Sequence, residues 1–415
     1  MSEYRGILGI LLVLVAATLL STNRAKVQWR LVAAVLVMLF LAKILSPYMG
    51  MAHVASAVNG LISFSDSGIR LVFGGLSNES GDWGFIFAVK VLPVIIYFSA
   101  VMAVLYHLGA MQLIIRLVSS AMRFAFRSAI SGPEAVVAAS NVFIGHTEAP
   151  LTVKPYISKM TESQLMALMT CGFATISCTV LVVYAEFVGG SGDREAQARY
   201  TQHLLTANLM SALGALMIAR VMVPEAEVSE VEVSEMHVEP KTSNLIDAAA
   251  TGASNGIRLA VNIGAMLVAF AALLAMADFL LAQVGAIFGV AWSLEALFAW
   301  ALGPVAWAMG MEWEFGALLG KSIFATEFLA YIDLRDTLAS HPNYYSETTR
   351  VIGAYALCSF ANIPSVAVQI GGLTAIAPER RADFARVGFK AMLAGVLASY
   401  LTASIAGICW RFTGN

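Results

Sequence analysis

The stretch Asn141–Leu151, "NVFIGHTEAPL", sets His146, Thr147 and Glu148 side by side and follows them with Pro150. Here they interrupt a chain of 415 residues that is 59% hydrophobic and only 13% charged, with a mean hydropathy of +0.77. Soluble domains carry about 25% charged residues. Runs such as Ile7–Leu20, Leu31–Met49 and Phe85–Leu108 approach or exceed the ~20 apolar residues that a helix needs to cross a bilayer core. The weak, strictly alternating pattern of a membrane barrel is absent. The composition therefore predicts an all-α polytopic membrane protein, and the polar cluster needs a reason to stand inside it.

Candidate spans cover about 5–21, 31–49, 84–110, 163–188, 200–222, 259–285, 345–375 and 388–410. Lys and Arg stay on the cytoplasmic side of a membrane. Arg24, Lys26 and Arg30 follow the first span, Arg116, Arg123 and Arg127 follow the third, and Arg380, Arg381, Arg386 and Lys390 separate the last two. All share one side if there are about eight transmembrane helices and both termini face out, with Asp66, Glu79 and Asp82 opposite. The loop Pro224–Pro240, "PEAEVSEVEVSEMHVEP", is acidic yet falls inside. Acids weigh little in this rule, so the loop reads as a solvated, mobile linker between two halves. The N-terminal run reads as the first span rather than a cleaved signal. Cys171, Cys178, Cys358 and Cys409 lie in apolar segments without metal spacing and read as small packing residues. The net charge of −2 gives no footing for nucleic acid.

Two apolar segments do not fit the span count. One is about 132–158, around the opening stretch. The other is about 314–336, "EFGALLGKSIFATEFLAYIDLRD". In each, an apolar arm of about ten residues leads to a polar tip and a second short arm returns to charge. Ten helical residues reach only ~15 Å, half the hydrocarbon thickness. Both segments read as re-entrant helical hairpins, whose irregular tips are tolerable only against protein or a wet cavity. The two hairpins lead into similar segments, "CGFATIS" at Cys171–Ser177 and "CSFANIPS" at Cys358–Ser365. Both lie mid-span, and Pro364 removes a helix hydrogen bond in the second. The tips match too, Thr147-Glu148 against Thr326-Glu327. The order hairpin, broken helix, helix thus occurs twice, with opposite entry sides. Inverted repeats with interrupted helices at mid-membrane mark secondary transporters.

Glu148 and Glu327 fall near the midplane, where a charge costs at least ~2.5–3.5 kcal/mol. They serve either as polar glue between helices or as part of a pathway, and their symmetric placement at two tips favours the pathway. With Thr147, Asn362 and Ser365 they offer hydroxyl, amide and carboxylate groups. Apart from Lys321 on an arm, no Lys or Arg lies at a tip or break, which disfavours a di- or tricarboxylate and favours a neutral, polyhydroxylated solute. Phe360 can pack on a flat ring or simply fill the core. His146 can donate to a ligand, carry a proton or satisfy a local hydrogen bond. Sodium wants hard oxygen ligands, as other hard cations do. Asn141, Thr175 and the carbonyls freed at a break are available for it. No nucleophile elbow or H-E-x-x-H helix is present, so an enzyme is not expected.

The stretches "SNVFIGHTEAPLTVKPYI", "ATEFLAYIDL" and "FANIPSVAVQIGGLTAIAPERR" resemble the concentrative nucleoside transporter family, in order and from about residue 84 onward. The resemblance implies a bacterial sodium-coupled nucleoside importer, with proton coupling as the alternative. It further implies an elevator-type transporter built as a homotrimer in the cytoplasmic membrane, with lipid around it and no cofactor beyond the coupling ion. His146, Thr147 and Glu148 are expected at the nucleobase with Val180 beside it. Glu327, Asn362 and Ser365 are expected at the ribose with Phe360 near. Asn141 and Thr175, with carbonyls of Ile144, Thr175 and Ile176, are expected at sodium. The chain departs from the family at His146 (usually glutamine), Thr326 (usually asparagine), Ile363-Pro364 (usually Phe-Ser) and Thr175 (commonly serine). The implied organisation is residues 1–125 as scaffold spans and interfacial segments, 126–222 as the first transport repeat, 223–310 as linker, scaffold span and interfacial segment, and 311–415 as the second repeat.

Overall fold

The computed structural model describes residues 4–48, 51–78, 86–126, 130–146, 148–190, 193–227 and 242–413. Expectations resting on Thr147, Glu79, Asp82, Arg127 and most of the acidic loop at 224–240 lie outside the described residues. Those described are helical and contain no strand. The N-terminal helices are α1 (Arg5–Leu19), α2 (Trp29–Leu45), α3 (Met51–Phe73), α4 (Phe87–Lys90), α5 (Leu92–His107) and α6 (Ala110–Phe126). The first repeat holds α7 (Gly132–Asn141), α8 (Lys154–Ile157), α9 (Glu162–Ala174), α10 (Cys178–Gly189) and α11 (Arg194–Met222). Then come α12 (Leu245–Ile287) and α13 (Leu294–Met309). The second repeat holds α14 (Phe315–Phe324), α15 (Glu327–Ser340), α16 (Glu347–Ala356), α17 (Ile363–Ile376) and α18 (Arg381–Thr413).

Local chemistry sets these limits. Ser131 and Glu134 form a reciprocal capping box that starts α7, and Thr161 with Gln164 does the same for α9. Such boxes satisfy two orphan N–H donors at once. α9 stops at Thr175, in extended backbone, and α10 restarts after Ser177. The second break, at 357–362, is longer. Asn362 caps α17 by accepting the N–H of Ser365, and Pro364 sits in its first turn, where a missing N–H costs nothing. Thr326 caps α15 through the N–H of Leu329.

Hairpin, broken helix and helix thus appear twice. The second hairpin is a clean pair, α14 and α15. The first has one helical arm, α7, and returns through a 3-10 turn at Ala149–Val153 and the short α8, because Pro150 and Pro155 interrupt that arm. Each repeat's broken helix packs on the other's last helix: α9 on α18 and α16 on α11. Ser211 and Thr402 lie 3.4 Å apart where α11 meets α18.

Among the described residues, five helical stretches are long and apolar enough to cross a bilayer: 87–107, 162–189, 194–222, 245–287 and 378–412. α12 is longer than its expected span of 259–285. Its 43 residues reach ~65 Å at 1.5 Å each. Ala248, Gly252, Gly256 and Ala260 make one buried stripe along it. That stripe presses on α5, where a Cβ on Gly256 would meet Ile96 Cα at 2.7 Å. Small residues every fourth position let two backbones approach this closely. The opposite face is apolar and open, with Val268 74% exposed, as suits lipid. α1 runs along α18 and α13, and α2 lies on α11 and α18. Their shared hydrophobicity told nothing of which neighbours they would choose.

Candidate functional site

The two hairpin tips and the two helix breaks converge, and buried polar side chains hold them together. Asn208, on α11, is the link at the first break. Its Nδ2 donates to the carbonyls of Val142 at 2.6 Å and Ile176 at 2.7 Å, and its Oδ1 accepts the N–H of Ile176 at 2.8 Å. The N–H of Cys178 donates to Phe143 at 3.2 Å. The end of α7 is thereby bound to the gap between α9 and α10. This brings Asn141 and Ile144, which flank Val142 and Phe143, to Thr175 and Ile176.

Asn141 is wholly buried. Its Nδ2 donates to Val137 at 3.0 Å, which fixes the orientation of the amide, since a carbonyl can only accept. Its Oδ1 is shut from solvent and has no partner among the described residues. Buried acceptors without partners are rare in native structures and call for an explanation such as an ion. Thr175 Oγ1 donates to Cys171 at 2.8 Å, so that oxygen keeps its lone pairs. The donor set is made of neutral oxygens, the chemistry a hard monovalent cation accepts. The carbonyl of Ile176 is shared with Asn208.

At the second break, Glu327 is 4% exposed. Tyr184 donates to its Oε1 at 2.9 Å and Asn362 Nδ2 to its Oε2 at 2.7 Å. Glu327 is the first residue of α15 and Asn362 caps α17, so two helix N-termini address one carboxylate, a placement that favours negative charge. Ser365 is buried one turn into α17. Lys321 is occupied by Asp333 across the second hairpin.

His146 meets Phe360 edge to face, with ring centroids 5.0 Å apart, which joins the first tip to the second break. Both ring nitrogens are shut from solvent without a partner among the described residues. Val180 is buried in the first turn of α10. Glu148 is exposed, and its backbone is held: its N–H donates to Gly145 and its carbonyl accepts the N–H of Leu151. The structure therefore joins His146 to Phe360, Glu327 to Asn362 and Ser365, and Asn141 and Ile144 to Thr175 and Ile176. It ties the side chain of Glu148 to none of them, and Thr147 lies outside the described residues.

Three buried polar residues of this site escaped the sequence reading: Tyr184, Asn208 and Gln369. Tyr184 lies one turn after Val180 on the same face of α10, stacked on Tyr331 at 4.1 Å. Gln369 lies one turn after Ser365. A helical-face argument from Val180 and Ser365 reaches both. Asn208 is a polar residue in mid-span, a signal in itself. The foot of the first hairpin is pinned as well. Arg220 donates to both carboxylate oxygens of Glu134 at 2.8 Å and to Glu225 at 2.9 Å.

Comparison with known proteins now bears on this geometry. Residues 8–76 match the family model described as "Na+ dependent nucleoside transporter N-terminus", residues 88–191 "Nucleoside recognition" and residues 203–407 "Na+ dependent nucleoside transporter C-terminus". The nucleoside permease NupC of Helicobacter pylori is 34% identical, over 98% of both chains. The chain belongs to the concentrative nucleoside transporter family. An uncharacterized transporter of Haemophilus influenzae is 38% identical over 98% of both chains. The structure of the transporter CNTnw, in an inward-facing substrate-bound state, superposes with a TM-score of 0.90 at 36% identity, covering 100% of this chain and 99% of the other. This member of the concentrative nucleoside transporter family is thus a multi-pass helical membrane transporter and not an enzyme.

Proposed function

We propose that this chain imports nucleosides across the cytoplasmic membrane by symport with sodium. One observation carries the choice of ion: Asn141 presents a buried, unpartnered amide oxygen at the end of α7 that Asn208 binds to the first helix break, where Thr175 and Ile176 supply further neutral oxygens. The carbonyl of Ile144 completes the proposed sodium shell. The ion binds where the first tip meets the first break, so it orders both and prepares the site for substrate. Glu327, Asn362 and Ser365 take the ribose hydroxyls, with Phe360 packed near. His146, Thr147 and Glu148 face the base, with Val180 beside it. Asn141→Ala is expected to raise the sodium concentration for half-maximal uptake at least tenfold, on the order of one lost charge-assisted contact, while base preference holds. Sodium uptake with unchanged half-saturation would remove Asn141 from the ion site.

Movement follows an elevator scheme in this reading. α5 and α12 form a fixed scaffold within a homotrimer, bounded by lipid along the open apolar face of α12. The two repeats, with α1 and α2 packed on them, carry the site past that scaffold, and both termini lie outside. CNTnw has been solved in outward-facing, intermediate and inward-facing states, and the proposed motion extends that behaviour to this chain. Proton coupling is the second reading. It draws on Glu327, a buried carboxyl whose partners, Tyr184 and Asn362, are both neutral. Uptake driven by a pH gradient in sodium-free buffer would favour it.

A further inference from the structure

Gln369 has no place in the scheme so far, yet it is as deeply buried as the residues that do, at 1% exposed. It lies on α17, four residues after Ser365 and seven after Asn362, on the face turned towards the site. Its Nε2 donates to the Met169 carbonyl on α9 at 3.1 Å. That bond fixes the amide, since the carbonyl can only accept, and leaves Oε1 as the outstanding acceptor. Oε1 is shut from solvent and unpartnered among the described residues, as are both nitrogens of His146. Gly172 shows that the two groups share one space. A Cβ there would collide with the Gln369 carboxamide and stand 2.8 Å from His146 Cβ. The carboxamide that carries this unfilled acceptor thus lies near the base of the His146 side chain, whose ring has an N–H with nowhere to donate.

We propose that Gln369 is the positioning residue of the base subsite: its Oε1 takes the N–H of His146 and fixes which ring nitrogen is left bare. The inference rests on the nucleoside reading above. In a neutral imidazole one nitrogen donates and the other accepts, and the partner of one decides the role of the other. In the loaded site the His146 ring turns its N–H to that amide oxygen. With its N–H held by Gln369, His146 presents the base with an acceptor alone. It therefore favours nucleosides that turn a ring N–H or exocyclic amine to it over those that turn a carbonyl. A glutamine at 146 presents both kinds of group, so it needs no such partner.

The test is initial-rate uptake of the four common ribonucleosides, competed in pairs, by wild type, Gln369→Met, His146→Gln and the double variant. Loss of one neutral hydrogen bond alters preference by about threefold to tenfold. Gln369→Met is expected to shift at least one nucleoside ratio by that factor, and the same change in the His146→Gln background to shift none by more than about twofold. Gln369→Asn, which keeps the amide but withdraws it by one methylene, is expected to shift the same ratio and serves if the Met variant does not reach the membrane. Uptake that falls alike for every nucleoside, or a shift of equal size in both backgrounds, overturns the positioning role and leaves nucleoside transport standing. Wild type that carries no nucleoside overturns both.

Discussion

Replacing Tyr184 by Phe removes a single oxygen from the site. The hydroxyl donates to Glu327 Oε1 at 2.9 Å, and Tyr184 and Glu327 are both buried, so water does not step in. A hydrogen bond to a charged group contributes about 1.5–3 kcal/mol. At 1.4 kcal/mol per factor of ten the loss corresponds to a ~10- to ~100-fold fall in uptake efficiency, read as maximal rate over KM in proteoliposomes. The ring keeps its stack on Tyr331 at 4.1 Å and its edge contact with Phe328 at 5.2 Å, so the fold should tolerate the change. If Tyr184 acts by aiming Glu327 at ribose hydroxyls, the fall belongs to ribonucleosides. A 2′,3′-dideoxynucleoside, which lacks those hydroxyls, should lose less than about threefold. Equal losses for both substrates would refute the reasoning, as would no loss at all.

Asn208→Leu leaves the N–H of Ile176 buried without a partner, at a cost of about 1–3 kcal/mol. It should lower the unfolding temperature in detergent and weaken sodium binding together, measured by thermal unfolding across a sodium titration. Arg220→Met strands Glu134, whose carboxylate is shielded from solvent. Breaking one side of such a pair costs about 3–5 kcal/mol, and amide exchange over 132–141 should accelerate more than exchange over 315–324, as read by hydrogen–deuterium exchange mass spectrometry.

The hairpins were legible because two features coincide in them: apolar arms too short to cross, and a Thr-Glu tip. The breaks were legible from "CGFATIS" and "CSFANIPS", since Pro364 and the repeated spelling both disrupt a helix. The start of α12 was not. Residues 245–258 are rich in Ala and Gly, with Asp247 and Arg258 among them, and hydropathy alone cannot tell a helix that extends beyond lipid from a loop. The stripe Ala248, Gly252, Gly256 and Ala260 is a pattern of small residues rather than of apolar ones, so a hydropathy reading passes over it. The candidate residues near the motifs can be proposed from sequence, while Tyr184, Asn208 and Gln369 escape a linear reading, because each contributes through a partner distant in sequence. Tyr184 lies 143 residues from Glu327, Asn208 lies 66 from Val142 and Gln369 lies 200 from Met169. Only tertiary packing brings these pairs together, within the first repeat for Asn208 and between the two repeats for Tyr184 and Gln369.

Ion coupling is the central claim and is tested most directly on the wild-type protein in sealed proteoliposomes. Labelled nucleoside is supplied outside under either an inward sodium gradient at equal pH or an inward proton gradient without sodium. The account predicts transient accumulation above the external concentration under the sodium gradient, and simple equilibration under the proton gradient. Accumulation under the proton gradient alone would contradict it and move the coupling role from Asn141 to Glu327.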